Sequence, residues 1–319
     1  MTEPEAAPQY IGPYLVVGAI GTGGFSCVYR VVREGGGGFR KHLALKVLAP
    51  GIEPTQDMVM MMADEARIAR HLHHRNIVAV HEFGEMEGAY WLLMDLVEGV
   101  DLRSLLEHQR LARGWIPLPA ALEVVLRVLH GLHYAHGRKT DDGHRLAIVH
   151  RDLTPGNVML GTDGSVRITD FGLARIRHKI AETEVGITRG TSSYMSPEQA
   201  QGRPVDARSD QFSAGILLYL LVSGRLPFPG NDDAQVMRSI VRGRYDRIVE
   251  AGVPDSLVAV IDTMLQPHPA DRYPDALAAA DALARSVPVE WRRDADGLVG
   301  RLVQRAVERR AGAPDPSTG

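Results

Sequence analysis

The hydrophobic pattern of this chain changes period once, and that change restricts the folds open to it. From Tyr14 to Leu48 the apolar residues come in short β-branched runs (LVVGAI, CVYRVV, HLALKVL) parted by glycine-rich breaks, the pattern of strands and hairpins. A helix is predicted over about 56–73, with strand character at 77–82 and 90–95. From Leu102 onward spacings of three and four dominate, predicting helices over 102–110, 119–136, 208–223, 233–242, 255–265 and 274–286. A short strand pair at 158–169 interrupts them. A strand-rich first third joined near Val97–Asp101 to a helix-rich remainder predicts an α+β chain of two unequal lobes. The expected divisions are 10–97, 98–287 and an extension, 288–319. Proline- and alanine-rich ends, 1–9 and 311–319, read as disordered.

Composition removes several function classes. With 36 Lys+Arg against 39 Asp+Glu the net charge is −3, which gives no basic footprint for nucleic acid or an anionic membrane. The single cysteine, Cys27, cannot form an intramolecular disulfide, so nothing demands an oxidising compartment. The start MTEPEAAPQY lacks the basic and apolar regions of a signal peptide, and the longest apolar stretch, Phe212–Val222, is too short to span a bilayer. The expectation is a soluble cytoplasmic protein without nucleic-acid or membrane partners.

Three groups of residues carry chemistry. In Gly21–Val28, Gly21 and Gly23 occupy the first two positions of G-x-G-x-x-G, Gly24 follows, and Ser26 stands at the third. A strand-like run, not a helix, comes next, so the loop caps a hairpin. Small residues there let backbone amides approach phosphate oxygens, and a plain flexible hairpin has the same composition. Lys46 lies inside an apolar strand, sharing a face with Ala44 and Leu48. In the following helix Met58, Met61, Glu65, Ile68, Ala69 and Leu72 recur at steps of three and four, which places Glu65 on the apolar stripe. Inward-facing charges are rare unless paired, so either Lys46 pairs with Glu65 or both snorkel to solvent. Finally, Asp152 precedes Asn157 by five residues, and Asn157 precedes Asp170 by thirteen. Asn157 and Asp170 are hard oxygen donors suited to Mg²⁺, which leaves Asp152 to accept a proton from an alcohol.

Taken in order, Gly21–Val28, Ala44-Leu-Lys46, Glu65, His150–Asn157, Asp170–Gly172 and Ser196–Glu198 resemble the eukaryotic-type Ser/Thr protein kinases that bacteria also carry, over about residues 10–287. The resemblance implies a bilobal protein-kinase fold with a small strand-rich N-lobe and a larger helical C-lobe, and the cofactors ATP and Mg²⁺. It assigns Lys46, fixed by Glu65, to the nucleotide phosphates, Asn157 and Asp170 to the metal, and Asp152 to the substrate hydroxyl. Met94 resembles a gatekeeper, Asp95 and Val97 offer backbone groups to adenine, and Val28 and Ala44 sandwich it. Asp101 resembles a ribose-binding acid. Glu198 resembles the partner of Arg272, and Asp210 a brace of the catalytic loop. The family usually has Lys where this chain has Thr154, whose hydroxyl offers a hydrogen bond without charge. An active but slower enzyme is expected, and a nucleotide-binding pseudokinase or a small-molecule kinase is the alternative. Arg151 before Asp152 implies control through a phosphorylated activation segment, at Thr188 first and Thr183 next. Implied partners are protein substrates bearing Ser or Thr, with self-association for trans-autophosphorylation. The triplet His71, His73 and His74 has the look of a metal cluster, but His74–Val78 resembles the family's loop after the glutamate helix, with Arg75 in place of Pro. Residues 137–147 resemble a polar surface insertion. The end of the chain, with Leu298, Leu302, Val303 and Ala306 opposite Arg301, Arg305, Arg309 and Arg310, is predicted to be an amphipathic helix that docks on its own lobe or a partner.

Overall fold

In this computed structural model the described residues are 10–22, 26–49, 51–52, 54–86, 88–140, 142–171, 191–250 and 252–312. They divide into two compact units, one holding the described residues up to His73 together with Val78–Leu96, the other His74–Ile77 and the described residues from Val97 on.

In the first unit, strands β1 (Tyr10–Ile11), β2 (Tyr14–Thr22), β3 (Ser26–Glu34), β4 (Arg40–Leu48), β5 (Val80–Met86) and β6 (Ala89–Asp95) form one antiparallel sheet in the order β1-β2-β3-β4-β6-β5. The register decides what each face carries. Val28 lies opposite Lys46, Lys46 opposite Leu92, and Ala44 opposite Met94. Because side chains alternate, Tyr29, Val31, Leu43, Leu45, Val47, Trp91 and Leu93 occupy the other face, where they form a buried cluster with Tyr14. Trp91 meets Tyr14 edge-on at 5.2 Å, and a Cβ at Gly84, its cross-strand partner, would stand 2.1 Å from the indole. Only glycine admits the Trp91 ring there. Gly36–Gly38 form a short 3₁₀ turn between β3 and β4 in which Gly37 and Gly38 have positive φ.

Helix α1 (Gln56–Ala69) starts at Thr55, whose hydroxyl accepts from the Met58 amide, and it packs on β5 and β6. Its buried face is Met62, Glu65 and Ala69, followed by Leu72 beyond its end. This corrects the expected stripe by one position: Met61 and Ile68 are only half-buried, and Met62 takes the central place.

In the second unit a three-stranded sheet, β7 (Gly99–Asp101), β8 (Val158–Gly161) and β9 (Val166–Ile168), has the order β7-β8-β9. Around it lie α2 (Leu102–Leu111), α3 (Leu118–His136), α4 (Pro197–Ala200), α5 (Ala207–Ser223), α6 (Asp233–Arg242), α7 (Asp255–Met264), α8 (Ala276–Arg285) and α9 (Ala295–Gly312). Helices α3 and α5 are apolar on almost every side and make the core, α3 packing against α5, α8 and α9. Gly131 of α3 permits close approach, since a Cβ there would stand 3.0 Å from the Asn76 carbonyl oxygen. Asn76 in turn donates from Nδ2 to the Val166 carbonyl, and its own carbonyl accepts from the Ile168 amide. The last helix docks on its own unit: Val299, Leu302, Val303 and Ala306 are buried, with α2, α3, β7 and β8 as neighbours. Within 137–147, Lys139 and Arg145 form an isolated antiparallel bridge. Among the described residues no helix is long and apolar enough to cross a membrane.

Candidate active site

Lys46 and Glu65 meet as the alternation of β4 and the periodicity of α1 require. Lys46 Nζ lies 3.1 Å from Glu65 Oε2 and 3.3 Å from Oε1, with the residues 7% and 2% exposed. Snorkelling is thereby excluded for both. On the same sheet face Ala44 and Met94 are buried and Val28 is half-buried. Gly21 lies opposite Val28 in the β2–β3 pairing, one step before its last pair Thr22–Cys27, while Gly23 and Gly24 lie outside the described residues. The Asp95 amide donates to the Ala79 carbonyl, and its carboxylate accepts from His81 Nε2 at 2.8 Å and faces Lys41 at 3.6 Å. Val97, half-buried, belongs to the second unit.

The second unit holds Asp152, Asn157 and Asp170 on a connected backbone. Asn157 Nδ2 donates to the Asp152 carbonyl at 2.6 Å and to its carboxylate Oδ2 at 3.3 Å. With the amide nitrogen engaged, Oδ1 is the atom left to ligate a cation. Val158 pairs with Ile168 across the β8–β9 hairpin, and the Thr169 amide donates to the Asn157 carbonyl, so Asp170 follows directly on a residue bonded to Asn157. One amide oxygen and one carboxylate at adjacent strand ends suit a hard cation completed by phosphate oxygens and water. Asp170 has φ 63° and accepts from Thr169 Oγ1 at 3.3 Å.

Beneath this lies a buried brace. Asp210, 1% exposed at the start of α5, accepts from the His150 and Arg151 amides, both at 2.8 Å, and from His136 Nε2 at 2.8 Å. Burial alone would raise its pKa; the hydrogen bonds from His136 and from the Arg151 amide outweigh that and hold it below the usual carboxylate value. Arg151 is pinned from both sides in a left-handed conformation (φ 65°), because its carbonyl also accepts from Gln199 Nε2 at 2.7 Å. His150 Nδ1 accepts from the Asp152 amide, so its ring proton sits on Nε2 and is donated to the Thr169 carbonyl at 2.9 Å. That imidazole ties Asp152 to the strand end carrying Asp170, and its ring meets Phe171 edge-on at 4.6 Å.

Other expected residues take structural positions. Asp101 caps α2, accepting from both the amide and the hydroxyl of Ser104. Thr154 is 5% exposed, so its hydroxyl lies within the packed loop. Glu198 binds Arg272 through two bonds of 2.8 and 2.9 Å. The His74 ring stacks on Tyr134 and its Nδ1 accepts from the Asn76 amide. Gly172, Thr183, Thr188 and Gly190 lie outside the described residues. The sequence offers no signal for His136 or Gln199, whose partners are 74 and 48 residues away.

The protein kinase domain family matches residues 14–287. The chain is 35% identical over 287 residues to the tyrosine-protein kinase MasK of Myxococcus xanthus, covering 89% of this chain and 44% of that protein. It is also 35% identical over 267 residues to the serine/threonine-protein kinase PknL of Mycobacterium tuberculosis, covering 83% and 63%. It therefore spans about half the length of these two relatives. The crystal structure of the Mycobacterium tuberculosis PknI kinase domain superposes with a TM-score of 0.62 at 27% identity, covering 87% of this chain and 98% of that one.

Proposed function

The chain belongs to the protein kinase domain family, and from that premise we propose that it uses ATP and Mg²⁺ to phosphorylate Ser and Thr hydroxyls of proteins. The observation that carries this is the connected set Asp152–Asn157–Thr169–Asp170, held by His150 and anchored on Asp210. A loose phosphoryl-transfer transition state asks for positioning and charge neutralisation more than for covalent chemistry. Lys46, oriented by Glu65, holds nucleotide phosphates. Val28, Ala44 and Met94 contact the adenine, Gly21, Gly23 and Gly24 line the phosphates, Asp95 and Val97 supply backbone groups, and Asp101 meets the ribose. Asn157 Oδ1 and the Asp170 carboxylate hold Mg²⁺, which when bound neutralises phosphate charge. Asp152 orients the acceptor hydroxyl and takes its proton, and Thr154 supplies a neutral hydrogen bond nearby. Thr188 and Thr183 are autophosphorylation sites, reached in trans between two copies.

The named activities of the two relatives differ, so the acceptor hydroxyl is the point to test. After incubation with labelled ATP, Mg²⁺ and a generic protein acceptor, acid hydrolysis should release phosphoserine and phosphothreonine. Phosphotyrosine alone would overturn the Ser/Thr assignment, and nucleotide binding with no incorporation would identify a pseudokinase.

A further inference from the structure

Arg103, the second residue of α2, is a charge that the proposed chemistry leaves unused. It is exposed, and it has neither an ion pair nor a hydrogen bond to a described residue. Its place is nonetheless well defined. A Cβ at Gly156 would stand 2.9 Å from Arg103 Nη2, 3.2 Å from Cζ and 3.6 Å from Nε, so the guanidinium packs beside Gly156 of the catalytic loop. Gly156 is next to Asn157, whose side chain is bonded to the Asp152 carboxylate. A larger residue at 156 would displace the guanidinium.

The second flank is Tyr194. Burial pushes its phenol up to about 12, and the Arg103 charge opposes that rise, which places the guanidinium within electrostatic reach of the ring. Tyr194 ends the turn Thr191–Tyr194, and its carbonyl accepts from Ser213 Oγ at 2.7 Å, so the turn is fixed to α5. Arg103 thus lies beside the loop bearing the proton acceptor, within electrostatic reach of the fixed turn ahead of α4. Of the acids beside it in the chain, Asp101 gives both oxygens to Ser104, and Glu107, four residues on along α2, makes no ion pair with Arg103. A chain that presents a hydroxyl to Asp152 passes a solvent-facing cation whose planar fork fits a carboxylate.

Resting on the kinase function proposed above, we propose that Arg103 selects acceptor proteins that carry an acidic side chain close to the phosphorylated Ser or Thr. Arg103 is a specificity residue and takes no part in the transfer step.

The full chain and its Arg103→Ala and Arg103→Glu variants are assayed on threonine peptides that differ only in Glu, Gln or Lys at positions flanking the acceptor. Wild type should show a KM for the best Glu peptide about 3- to 10-fold below that of its Gln counterpart, with kcat within about twofold. Arg103→Ala should erase the difference, and Arg103→Glu should move the preference to the Lys peptide. Retention of the Glu preference in Arg103→Ala overturns the proposal. So does an equal fall of kcat on all peptides, since that would put the guanidinium on the transferred group. The Gln peptide separates the two levels: if wild type phosphorylates it without any Glu preference, selectivity alone fails; if wild type phosphorylates none of the peptides, the kinase function fails with it.

Discussion

Replacing Glu198 by Gln should cost the second unit far more than a surface charge would. The Arg272 side chain is fully buried and the Glu198 side chain is 6% exposed. The guanidinium donates twice to Glu198 and also to the Gln266, Pro267 and Arg208 carbonyls, and it lies 4.8 Å over the Phe212 ring. The substituted amide would keep one acceptor but leave the buried cation without a counter-charge. Breaking a buried pair from one side costs about 3–5 kcal/mol, and the retained amide oxygen places Glu198→Gln near the lower end, about 3 kcal/mol. For a unit of this size each kcal/mol moves Tm by about 2–4 °C, so the expected shift is about 6–12 °C. The double variant Glu198→Gln/Arg272→Met, which removes the stranded charge, should recover part of the loss. Acid provides an independent check. Burial raises the Glu198 pKa, but the Arg272 and Ser209 hydrogen bonds and the Arg272 charge outweigh it and leave it lowered. A depressed folded-state pKa gives stability that is complete above the unfolded carboxylate value of about 4.3 and is lost as pH falls through the folded value. Thermal unfolding of wild type should therefore weaken in that acid window more than unfolding of Glu198→Gln. A Tm within about 2 °C of wild type, or identical acid profiles, would refute the account of this pair.

Two further predictions concern other contacts. Gly164 has φ 81°, and a Cβ there would stand 2.2 Å from the Asp296 carbonyl oxygen of α9. Gly164→Ala should destabilise by more than about 1 kcal/mol and raise hydrogen exchange in α9 and the β8–β9 hairpin, whereas Gly143→Ala, strained but in open space, should leave α9 exchange unchanged. Glu65→Gln removes the counter-charge of Lys46, so nucleotide affinity measured by calorimetry should fall about tenfold or more, with Mg²⁺-independent folding intact by circular dichroism. Unchanged affinity would detach Lys46 orientation from Glu65.

The sequence displays features that depend on local period and hides those that depend on long-range side-chain reach. Alternation in β4 and a period of 3.6 in α1 were enough to point Lys46 toward Glu65, because both rules act within one element. The same periodicity could not distinguish Met61 from Met62, since one residue is only about 100° of helix rotation and the stripe is that wide. The join between a strand-rich and a helix-rich part was legible because the period itself changes there. His136, Gln199 and Arg103 were not, since His136 reaches the loop 150–157 through Asp210, and Gln199 and Arg103 meet it from elements whose place is set by packing. Asp101 illustrates a different limit, because the acid that caps α2 is also the one the family resemblance assigns to the ribose, and both roles use the same oxygens.

The most direct test is phosphoryl transfer from labelled ATP by Asp152→Asn beside wild type in the presence of Mg²⁺. Asn keeps the side-chain shape, leaves the backbone bonds to Asn157 and His150 in place and offers Oδ1 to Asn157 Nδ2, but it cannot take a proton. Incorporation should fall by about 10²-fold or more while nucleotide affinity stays within about twofold. Full activity in Asp152→Asn would contradict the assignment of Asp152 as the group that activates the acceptor.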